Sequence, residues 1–349
     1  TCTFHLEMGT HRFEAGGVAR RIRRTLEGLD VQEYLRGLIQ EVYREPKIRV
    51  LHEATITAVT GYVGNFVTTV ESEGRTAVIE HGAAILATGA EEYQPTEYLY
   101  GEDERVLTQL QLEERLADGD EGVTGEGALV MIQCVGCRNE DNNYCARVCC
   151  SQAIKNALAL REANPDKPIY VLFRDMRTYG FKEDYYREAA DREIRFVRYL
   201  PEHGITVEPA QGETGPVLQV TTFDPVLQKD LALDADHVVL SAAVVPSQGS
   251  NEAVKLFKVA QNPDGFFQEA HVKLRPVDFA ADGVFLAGTA HYPKHLQEVI
   301  AQAYGAAGRV LTLLSKDTVV ASGAVCEVMD TDCVSCGACI TACSYDAIE

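Results

Sequence analysis

The chain has 349 residues, a formal net charge of −20 and a hydrophobic fraction of 46%. This length allows two domains or one large composite domain with a substantial core. The negative charge argues against a nucleic-acid-binding protein, which needs clustered Lys and Arg. The apolar runs near residues 237–246 and 284–290 are shorter than a membrane span, which takes about 18 residues.

The first third of the chain predicts two helices with short strands between them. The helical period of residues 31–43 ends at Pro46, and Thr108 is a candidate N-cap for a helix over residues 109–116. Gly61 and Gly64 mark a turn between strands. The strands are expected over residues 48–51, 54–59, 65–70 and 83–86.

The rest of the chain alternates strands with helices, which predicts a parallel α/β sheet. Near its end, a strand over residues 283–287 precedes a long helix over residues 296–314. Small residues should let that helix lie close to a sheet; they are Ala301, Ala303, Gly305, Ala306 and Ala307. The other strands are expected over residues 128–133, 169–174, 194–199, 217–222 and 237–244, and the other helices over 153–162 and 183–192.

Two α/β units, the first of which resumes near the end of the chain, are typical of flavoproteins with two dinucleotide domains. We predict a thioredoxin-reductase-like α/β fold of this kind with an appended ferredoxin-like [4Fe–4S] module. Because the chain begins with Thr rather than Met, we also expect it to be part of a longer polypeptide. The predicted domains are an FAD domain over residues 1–122 and 248–320, an inserted nucleotide-domain-like unit over 123–247, and the start of a ferredoxin domain over 321–349.

Three segments carry candidate FAD contacts. A hydrophobic strand ends in Thr88 and Gly89, and a second strand ends in Gly288 shortly before a helix, whose N–H groups could donate to a ligand oxygen. Near the start, Glu7 is a candidate ribose ligand, although no G-x-G-x-x-G loop precedes it. The candidate cofactor-binding residues are Glu7, Gly16, Gly17, Thr88, Gly89, Gly288, Thr289, Ala290 and Gln297.

Cysteines are concentrated in two short clusters. Nine of the 11 lie between Cys134 and Cys150 or between Cys333 and Cys343. Tight clusters in a large chain favour metal binding over a disulfide framework and predict a reducing, cytoplasmic compartment. Cys2 and Cys326 stand apart and are expected to be ordinary buried or surface thiols.

The C-terminal cluster has the spacing C-x2-C-x2-C-x3-C of a bacterial-type ferredoxin loop. Its candidate ligands are Cys333, Cys336, Cys339 and Cys343. In two-cluster ferredoxins the fourth cysteine of this run binds the other cluster, so further ligands are expected beyond Glu349. Zinc sites instead use two separated C-x2-C pairs, which makes zinc the weaker interpretation.

The internal cluster places five thiols directly after an expected strand. Its spacing supplies four cluster ligands if Cys137 is spare. A redox-active dithiol of Cys134 and Cys137 is the alternative.

These motifs together resemble the A-subunit family of heterodisulfide reductases, iron–sulfur flavoproteins of methanogens, sulfate reducers and related anaerobes. The resemblance implies [4Fe–4S] ligation by Cys134, Cys145, Cys149 and Cys150, with Cys137 left out because family members often have Ser there. The matching segments include TLEGLDVQEYL at residues 25–35, GYVGNF at 61–66, ATGAEEYQPTEYLYG at 87–101, YCARVCCSQAIKNAL at 144–158, FRDMRTYG at 173–180 and GTAHYPKHLQEVIAQAYGAAGR at 288–309.

The resemblance also implies flavin-based electron bifurcation or confurcation within a complex. The expected partners are heterodisulfide-reductase-like subunits B and C, a hydrogenase or formate dehydrogenase as electron-input component, and ferredoxin. The expected catalytic residues are Lys294 and His291, which follow the strand end that should face the flavin; Lys294 would favour a reduced, anionic ring.

Two alternatives remain open. An NAD(P)H-dependent flavin disulfide oxidoreductase would use the Cys134/Cys137 dithiol, whereas a non-catalytic electron-relay module would only hold clusters. We expect no nicotinamide dinucleotide near Arg174, Asp175, Arg177 and Thr178, because a cysteine loop stands where the phosphate turn would be.

Overall fold

The computed structural model describes residues 3–6, 15–213, 215–318, 328–329, 331–343 and 348. Glu7, Cys2 and Cys326, which the sequence singled out, lie outside these residues. None of the described helices combines the length and the apolar character that crossing a membrane requires.

The strands and helices follow one another in chain order, with short 3-10 turns at Gly17–Arg21 and Gly288–Ala290. The helices are α1 Val31–Arg44, α2 Gln109–Ala117, α3 Glu121–Thr124, α4 Cys149–Ala163, α5 Lys182–Asp191, α6 Ser250–Phe257, α7 Leu296–Leu314 and α8 Ala338–Ala342. The strands are β1 Thr3–Leu6, β2 Ile48–Leu51, β3 Ala54–Tyr62, β4 Asn65–Ser72, β5 Arg75–His81, β6 Ala84–Leu86, β7 Ala90–Glu92, β8 Val106–Thr108, β9 Leu129–Val135, β10 Ile169–Phe173, β11 Arg195–Arg198, β12 Ile205–Gln211, β13 Pro216–Asp224, β14 Lys229–Ala235, β15 His237–Ala242, β16 Val244–Pro246 and β17 Val284–Leu286.

The chain divides into two compact units. The first contains Thr1–Ala15, Glu41–Ala90 and Pro246–Glu349, and the second contains Gly16–Gln40 and Glu91–Val245. The chain therefore contributes residues 16–40 to the second unit, returns to it at residue 91 and leaves it near the predicted domain boundary of residues 247–248. The functional domain boundaries given above stay predictions.

The second unit is built on a five-stranded sheet in the order β11-β10-β9-β15-β8. Every neighbouring pair is parallel, as the strand–helix alternation predicted. Helix α2 begins with a capping box in which Thr108 and Gln111 exchange hydrogen bonds, which confirms the predicted N-cap.

One predicted strand of this unit belongs to a different sheet. Strand β13 pairs antiparallel with β12 and β14 in a separate three-stranded sheet rather than joining the parallel sheet. Its Leu218 and Val220 pack with Val130 and Leu240 of β9 and β15, so this small sheet covers part of the apolar core.

The first unit contains small sheets around a second core. Strands β3, β4 and β5 form an antiparallel sheet, whereas β6 and β17 pair in parallel. Residues of β4, β6, α6 and β17 share this core, among them Phe66, Leu86, Phe257 and Leu286.

Helix α7 has the predicted bounds but not the predicted packing. Of its small residues only Ala306 is fully buried, against Val277 and Ala287. Ala301, Ala303, Gly305 and Ala307 are exposed in this structure. The close approach is therefore limited to the helix face that carries Ala306.

Candidate functional site

The cysteine loop, residues 134–150, joins the end of β9 to the start of α4. Helix α4 begins at Cys149, four residues before the predicted start, so both adjacent cysteines lie in its first turn. The loop is held by its own backbone: Arg138 N donates to Asn142 O at 2.7 Å and to Tyr144 O at 3.1 Å. Because β9 belongs to the five-stranded sheet and helix α4 packs against β9 and β15, the loop is supported at both ends.

Left-handed backbone gives this loop its sharp turns. Cys134, Gly136, Arg138 and Arg147 all have φ between 58° and 74°. A Cβ on Gly136 would lie 2.2 Å from the Tyr93 ring, so only glycine fits there without displacing that ring. These turns fold the loop back on itself.

The five thiols of the loop lie close enough to affect one another. Cys137, Cys149 and Cys150 are buried, and Cys134 and Cys145 are half-buried. A hydrogen bond between the Cys134 and Cys137 thiols, aided by Arg138, lowers the pKa of Cys134 to about 6. The same hydrogen bond and burial raise the pKa of Cys137. All five are free thiols.

The donor set of the cysteine loop fits an iron–sulfur cluster. Thiolates are the usual protein ligands of such clusters, and an N–H group already points at one sulfur: Arg147 N donates to Cys145 Sγ at 3.3 Å. Within the described residues, however, no three His, Cys, Asp or Glu side chains form a ready-made metal site. The loop thus supplies thiol donors of the type that binds such a cluster, without a preformed site among the described residues.

A chain of buried amides lies behind the cysteine loop, which the sequence did not reveal. Ser241 Oγ accepts hydrogen bonds from Gln133 Nε2 at 2.7 Å and from Gln109 Nε2 at 3.3 Å. Asn156 Nδ2 donates to Gln109 Oε1 at 2.8 Å. These contacts tie α2, β9, α4 and β15 together directly under the loop.

The C-terminal cysteines lie in the first unit. Cys333, Cys336 and Cys339 are exposed and Cys343 is half-buried. Gly337, in left-handed conformation with φ 70°, precedes the short helix α8. The segment therefore has the tight turn expected of a ferredoxin loop.

A polar network surrounds the turn after β17. Lys294 Nζ donates to Gly288 O at 2.9 Å and to Gln302 Oε1 at 2.5 Å. Gln302 Nε2 contacts His291 Nδ1 at 2.7 Å, and His291 Nε2 contacts Glu269 Oε2 at 2.8 Å. The structure therefore brings together the two predicted catalytic residues and adds Glu269 and Gln302, which the sequence did not single out.

The electrostatics of this network favour a neutral imidazole. Burial lowers the pKa of His291, the hydrogen bond to Glu269 opposes that shift, and the Lys294 charge adds to it. Burial alone would raise the pKa of Glu269, but the His291 hydrogen bond and the nearby positive charges lower it overall. A buried lysine held by several hydrogen bonds has little freedom to reorient.

Two pockets adjoin the network. One of about 300 Å³ is lined by Asn262, Phe267 and Glu269 among others. A second of about 240 Å³ includes Lys294, Glu298 and Gln302 in its lining. Both are lined by Glu269, His291 and Tyr292, so the two pockets adjoin the same network.

The other candidate cofactor residues of the first unit lie in well-defined turns. Thr88 Oγ1 shares a hydrogen bond of 2.8 Å with Ser250, and Ser247 donates to Thr88 O at 3.1 Å. Gly89 has φ 78° and open space where a Cβ would project, which leaves room for a ligand. Thr289 is half-buried in the turn after Gly288, next to buried Ala290, and Gln297 lies in the first turn of α7, where it is exposed.

Gly16 and Gly17 belong to the second unit and open a 3-10 turn. A Cβ on Gly16 would lie 2.8 Å from Leu35, whereas the space at Gly17 is open. The neighbouring Arg21 is occupied by ion pairs with Glu92 at 3.0 Å and Glu114 at 2.7 Å. Arg21 is therefore held by two carboxylates within the second unit.

Solved structures with a similar fold include two thioredoxin reductases. The enzyme of T. acidophilum aligns with 87% of this chain and 88% of its own, with a TM-score of 0.57 and 12% identity. That of Lactococcus lactis aligns with 89% of this chain and 90% of its own, also with a TM-score of 0.57, at 13% identity. These likenesses confirm the thioredoxin-reductase-like α/β fold.

Curated proteins of three methanogens are similar in sequence. The A-type subunit of the Ferredoxin:CoB-CoM heterodisulfide reductase of Methanosarcina acetivorans is 34% identical over an alignment of 309 positions, and the match covers 77% of this chain and 38% of that protein. An A-type iron-sulfur subunit of the CoB–CoM heterodisulfide reductase of Methanopyrus kandleri is 38% identical over an alignment of 288 positions, and the match covers 77% of this chain and 43% of that protein.

The third is the A-type subunit of the H(2):CoB-CoM heterodisulfide,ferredoxin reductase of Methanothermobacter thermautotrophicus. It is 37% identical over an alignment of 290 positions, and the match covers 78% of this chain and 43% of that protein. No protein-family model matches the chain. The chain thus spans well under half the length of these relatives, and over that part it belongs to the A-subunit family of heterodisulfide reductases.

Proposed function

We propose that this chain is the FAD- and iron–sulfur-dependent electron-transfer part of a heterodisulfide-reductase-like complex. The observation that carries the proposal is the cysteine loop: five mutually interacting thiols stand between β9 and α4, where a dinucleotide-binding domain would have its phosphate turn. A cluster there would replace nucleotide binding by single-electron transfer. The relatives named as iron-sulfur subunits and as ferredoxin-linked reductases support this proposal.

In this proposal Cys134, Cys145, Cys149 and Cys150 hold a [4Fe–4S] cluster. Burial of Cys149 and Cys150 in the first turn of α4 fixes two ligands on a rigid helix. Cys137 stays a thiol that hydrogen-bonds Cys134. The C-terminal ligands Cys333, Cys336, Cys339 and Cys343 serve a ferredoxin-type module.

The proposed FAD contacts of the first unit are the turns at Thr88–Gly89 and Gly288–Ala290, together with Glu7 and Gln297. When bound, the flavin supplies the exchange between two-electron and one-electron chemistry. Lys294 would place a positive charge at the edge of that cofactor, and His291 would hold an exchangeable proton there. Their shared partner Gln302 keeps the ammonium on Gly288 O, next to the proposed contact.

The complex would pass electrons from a two-electron donor to ferredoxin and to a disulfide-reducing partner. The donor is proposed to be a hydrogenase or formate dehydrogenase, and the acceptors a ferredoxin and subunits of the B and C type. The proposal includes that the complex divides the electron pair between these two acceptors.

The first experiment measures iron, acid-labile sulfide and the EPR spectrum of the dithionite-reduced, anaerobically reconstituted full-length protein. A Cys145→Ala, Cys149→Ala double variant should lose about four irons and part of the cubane signal. Cys137→Ser is the matched control and should keep both. Equal iron in the parent and the double variant would show that the cysteine loop holds no cluster.

The second candidate function is an NAD(P)H-dependent flavin disulfide oxidoreductase with a Cys134/Cys137 dithiol. The hydrogen bond between these two thiols favours it, since redox pairs need such contact. It predicts saturable NAD(P)H oxidation that Cys137→Ser abolishes. A non-catalytic electron-relay module would instead show clusters without flavin in the full-length protein.

A further inference from the structure

Five arginines surround the cysteine loop on the second unit and together form a feature called the arginine rim. The loop itself contributes Arg138 and Arg147. The end of β10 and the segment after it contribute Arg174 and Arg177, and β11 contributes Arg198. The rim is therefore assembled from three separate parts of the chain, although the protein as a whole has a net charge of −20.

Hydrogen bonds hold the rim in one arrangement. Arg138 Nη2 donates to Asp175 Oδ2 at 2.6 Å, and Arg174 Nη1 donates to Arg138 O at 2.8 Å. Arg198 Nε donates to Arg174 O at 3.2 Å. Arginines fixed in this way present a preorganised positive surface, which loses little side-chain entropy when a partner binds.

Asp175 neutralises only part of this charge. It pairs with Arg138 and lies 3.8 Å from Arg177, and its pKa is lowered mainly by the Arg138 hydrogen bond, so it stays ionised. Glu183 is engaged by the Thr178 hydroxyl at 3.3 Å. Arg177 and Arg198 are exposed, which leaves positive charge facing solvent.

Exposed aromatic side chains accompany the rim. Phe181 is 92% exposed and Tyr179 is 52% exposed. Arg147 Nη2 donates to Tyr179 OH at 2.9 Å, which fixes the phenol beside the arginines. Arginine and aromatic residues together are the types enriched at protein–protein interfaces.

The rim also touches the proposed redox site. Arg138 Nη1 lies 3.9 Å from Cys134 Sγ, so a partner docked on the rim would approach the sulfurs closely. A dinucleotide phosphate fits this place poorly, because the first turn of α4 carries the buried thiols Cys149 and Cys150 instead of a glycine-rich turn.

We propose that the arginine rim, with Tyr179 and Phe181, is the docking surface for an acidic electron-carrier protein that exchanges single electrons with the cysteine loop. This rests on the proposed function, because the exchange needs a redox centre in that loop. One electron moves from the reduced centre of the carrier to the oxidised centre of the loop, or in reverse, with no bond formed or broken.

The test uses the full-length protein and a reduced, acidic two-cluster ferredoxin as probe. Stopped-flow rate constants are measured at ionic strengths from about 0.02 to 0.3 M, where screening lengths shorten strongly. The rate of the parent should fall as salt rises. An Arg177→Glu, Arg198→Glu variant should react roughly tenfold more slowly at low salt and lose that salt dependence.

The matched control is Arg192→Glu with Arg195→Glu, which makes the same charge change just after α5 and at the opposite end of β11. It should stay within about twofold of the parent, because steering depends on local charge. A Phe181→Ser variant tests the aromatic contribution and should weaken ferredoxin binding without changing the salt dependence. Equal rates for rim and control variants would overturn the proposal.

Iron content and binding separate this proposal from the proposed function. Binding of oxidised ferredoxin is measured in parallel and does not depend on electron transfer. A parent without an internal cluster would refute the proposed function, while loss of binding in the rim variant would still support the docking surface. If the parent binds NADPH and the rim variant does not, the rim would be a nucleotide site and the proposal would be overturned.

Discussion

At the scale of single residues, the protonation of His291 depends on burial and on two charged neighbours, Glu269 and Lys294. Glu269 lies on one ring nitrogen, while Lys294 and Gln302 lie near the other. Tyr292 stands beside both, with its ring 3.9 Å from the Lys294 ammonium. Since burial lowers the pKa of His291 from the ordinary 6.5, its neutral form is favoured in the fold.

We expect the NMR titration midpoint of His291 in the full-length protein to lie below 6.5. Glu269→Gln removes a group that raises this pKa and should lower the midpoint further, whereas Lys294→Met removes a positive charge and should raise it. The unfolded chain binds the proton more readily, so this histidine's contribution to stability is complete above pH 6.5 and is lost as pH falls towards the folded pKa. If neither substitution changes the titration midpoint of His291, the assigned contacts with Glu269 and Lys294 would be wrong.

Gly136 is the second residue on which a specific prediction rests. Gly136→Ala combines an unfavourable left-handed φ of 74° with a collision against the Tyr93 ring. At Gly119 φ is 72° and the space for a Cβ is open, so an alanine there meets only the unfavourable backbone conformation. In urea unfolding, Gly119→Ala should cost about 1 kcal/mol and Gly136→Ala roughly 3 kcal/mol. Similar values for the two would mean that Tyr93 moves aside freely.

At the scale of elements, a buried ion pair joins α2 to α4. Lys155 Nζ lies 2.7 Å from Glu113 Oε2, and the other carboxylate oxygen accepts a hydrogen bond from the backbone N–H of Arg23 at 2.7 Å. Lys155 also donates to Arg24 O at 3.0 Å. Two helices and the segment before α1 are thus tied by one pair of charges, although burial lowers the pKa of Lys155.

We expect Glu113→Gln to destabilise the second unit by about 3 kcal/mol, because it leaves the buried Lys155 charge without its partner. Lys155→Met added to it should recover a good part of that loss. Chemical denaturation of the parent, both single variants and the double variant gives the coupling energy. Strictly additive losses would show that the two side chains do not depend on each other.

At this scale the sequence pattern predicted some helices and strands with their observed bounds and missed others. The helix over residues 296–314 was predicted with its observed bounds, because its period extends over many residues. The start of α4 was missed by four residues, since its first turn consists of cysteines that fit equally well in a loop. Strand β12 was not predicted, because its pattern is interrupted by Glu208 and Pro209. Strand β14 was also not predicted; three of its seven residues are charged, namely Lys229, Asp230 and Asp234.

At the scale of the whole molecule, the two cysteine sets belong to different compact units. Cys134–Cys150 lies in the second unit, and Cys333–Cys343 lies in the first. Each set has its own backbone support, a strand and a helix for the loop and a short helix for the C-terminal set. The proposed function gives each set a cluster of its own.

We therefore expect iron losses to be additive. Cys336→Ala with Cys339→Ala should remove one cluster's iron and one EPR component, and the Cys145→Ala, Cys149→Ala variant should remove a different component. The combination should lose the sum of both, as measured by iron per chain and by EPR of the full-length protein. Loss of both signals from either double variant would show that the two sites depend on each other.

The sequence by itself determined the strand–helix alternation, the two cysteine spacings and the family resemblance. All three depend on residues that are close together along the chain, or on patterns that repeat over one element. The tertiary structure decided the contacts between distant positions. It brought Glu269 and Gln302 to His291, and it placed Arg174 and Arg198 beside the cysteine loop. Such contacts arise from how the strands order in the sheet and how the loops fold over it, and no local pattern records that arrangement.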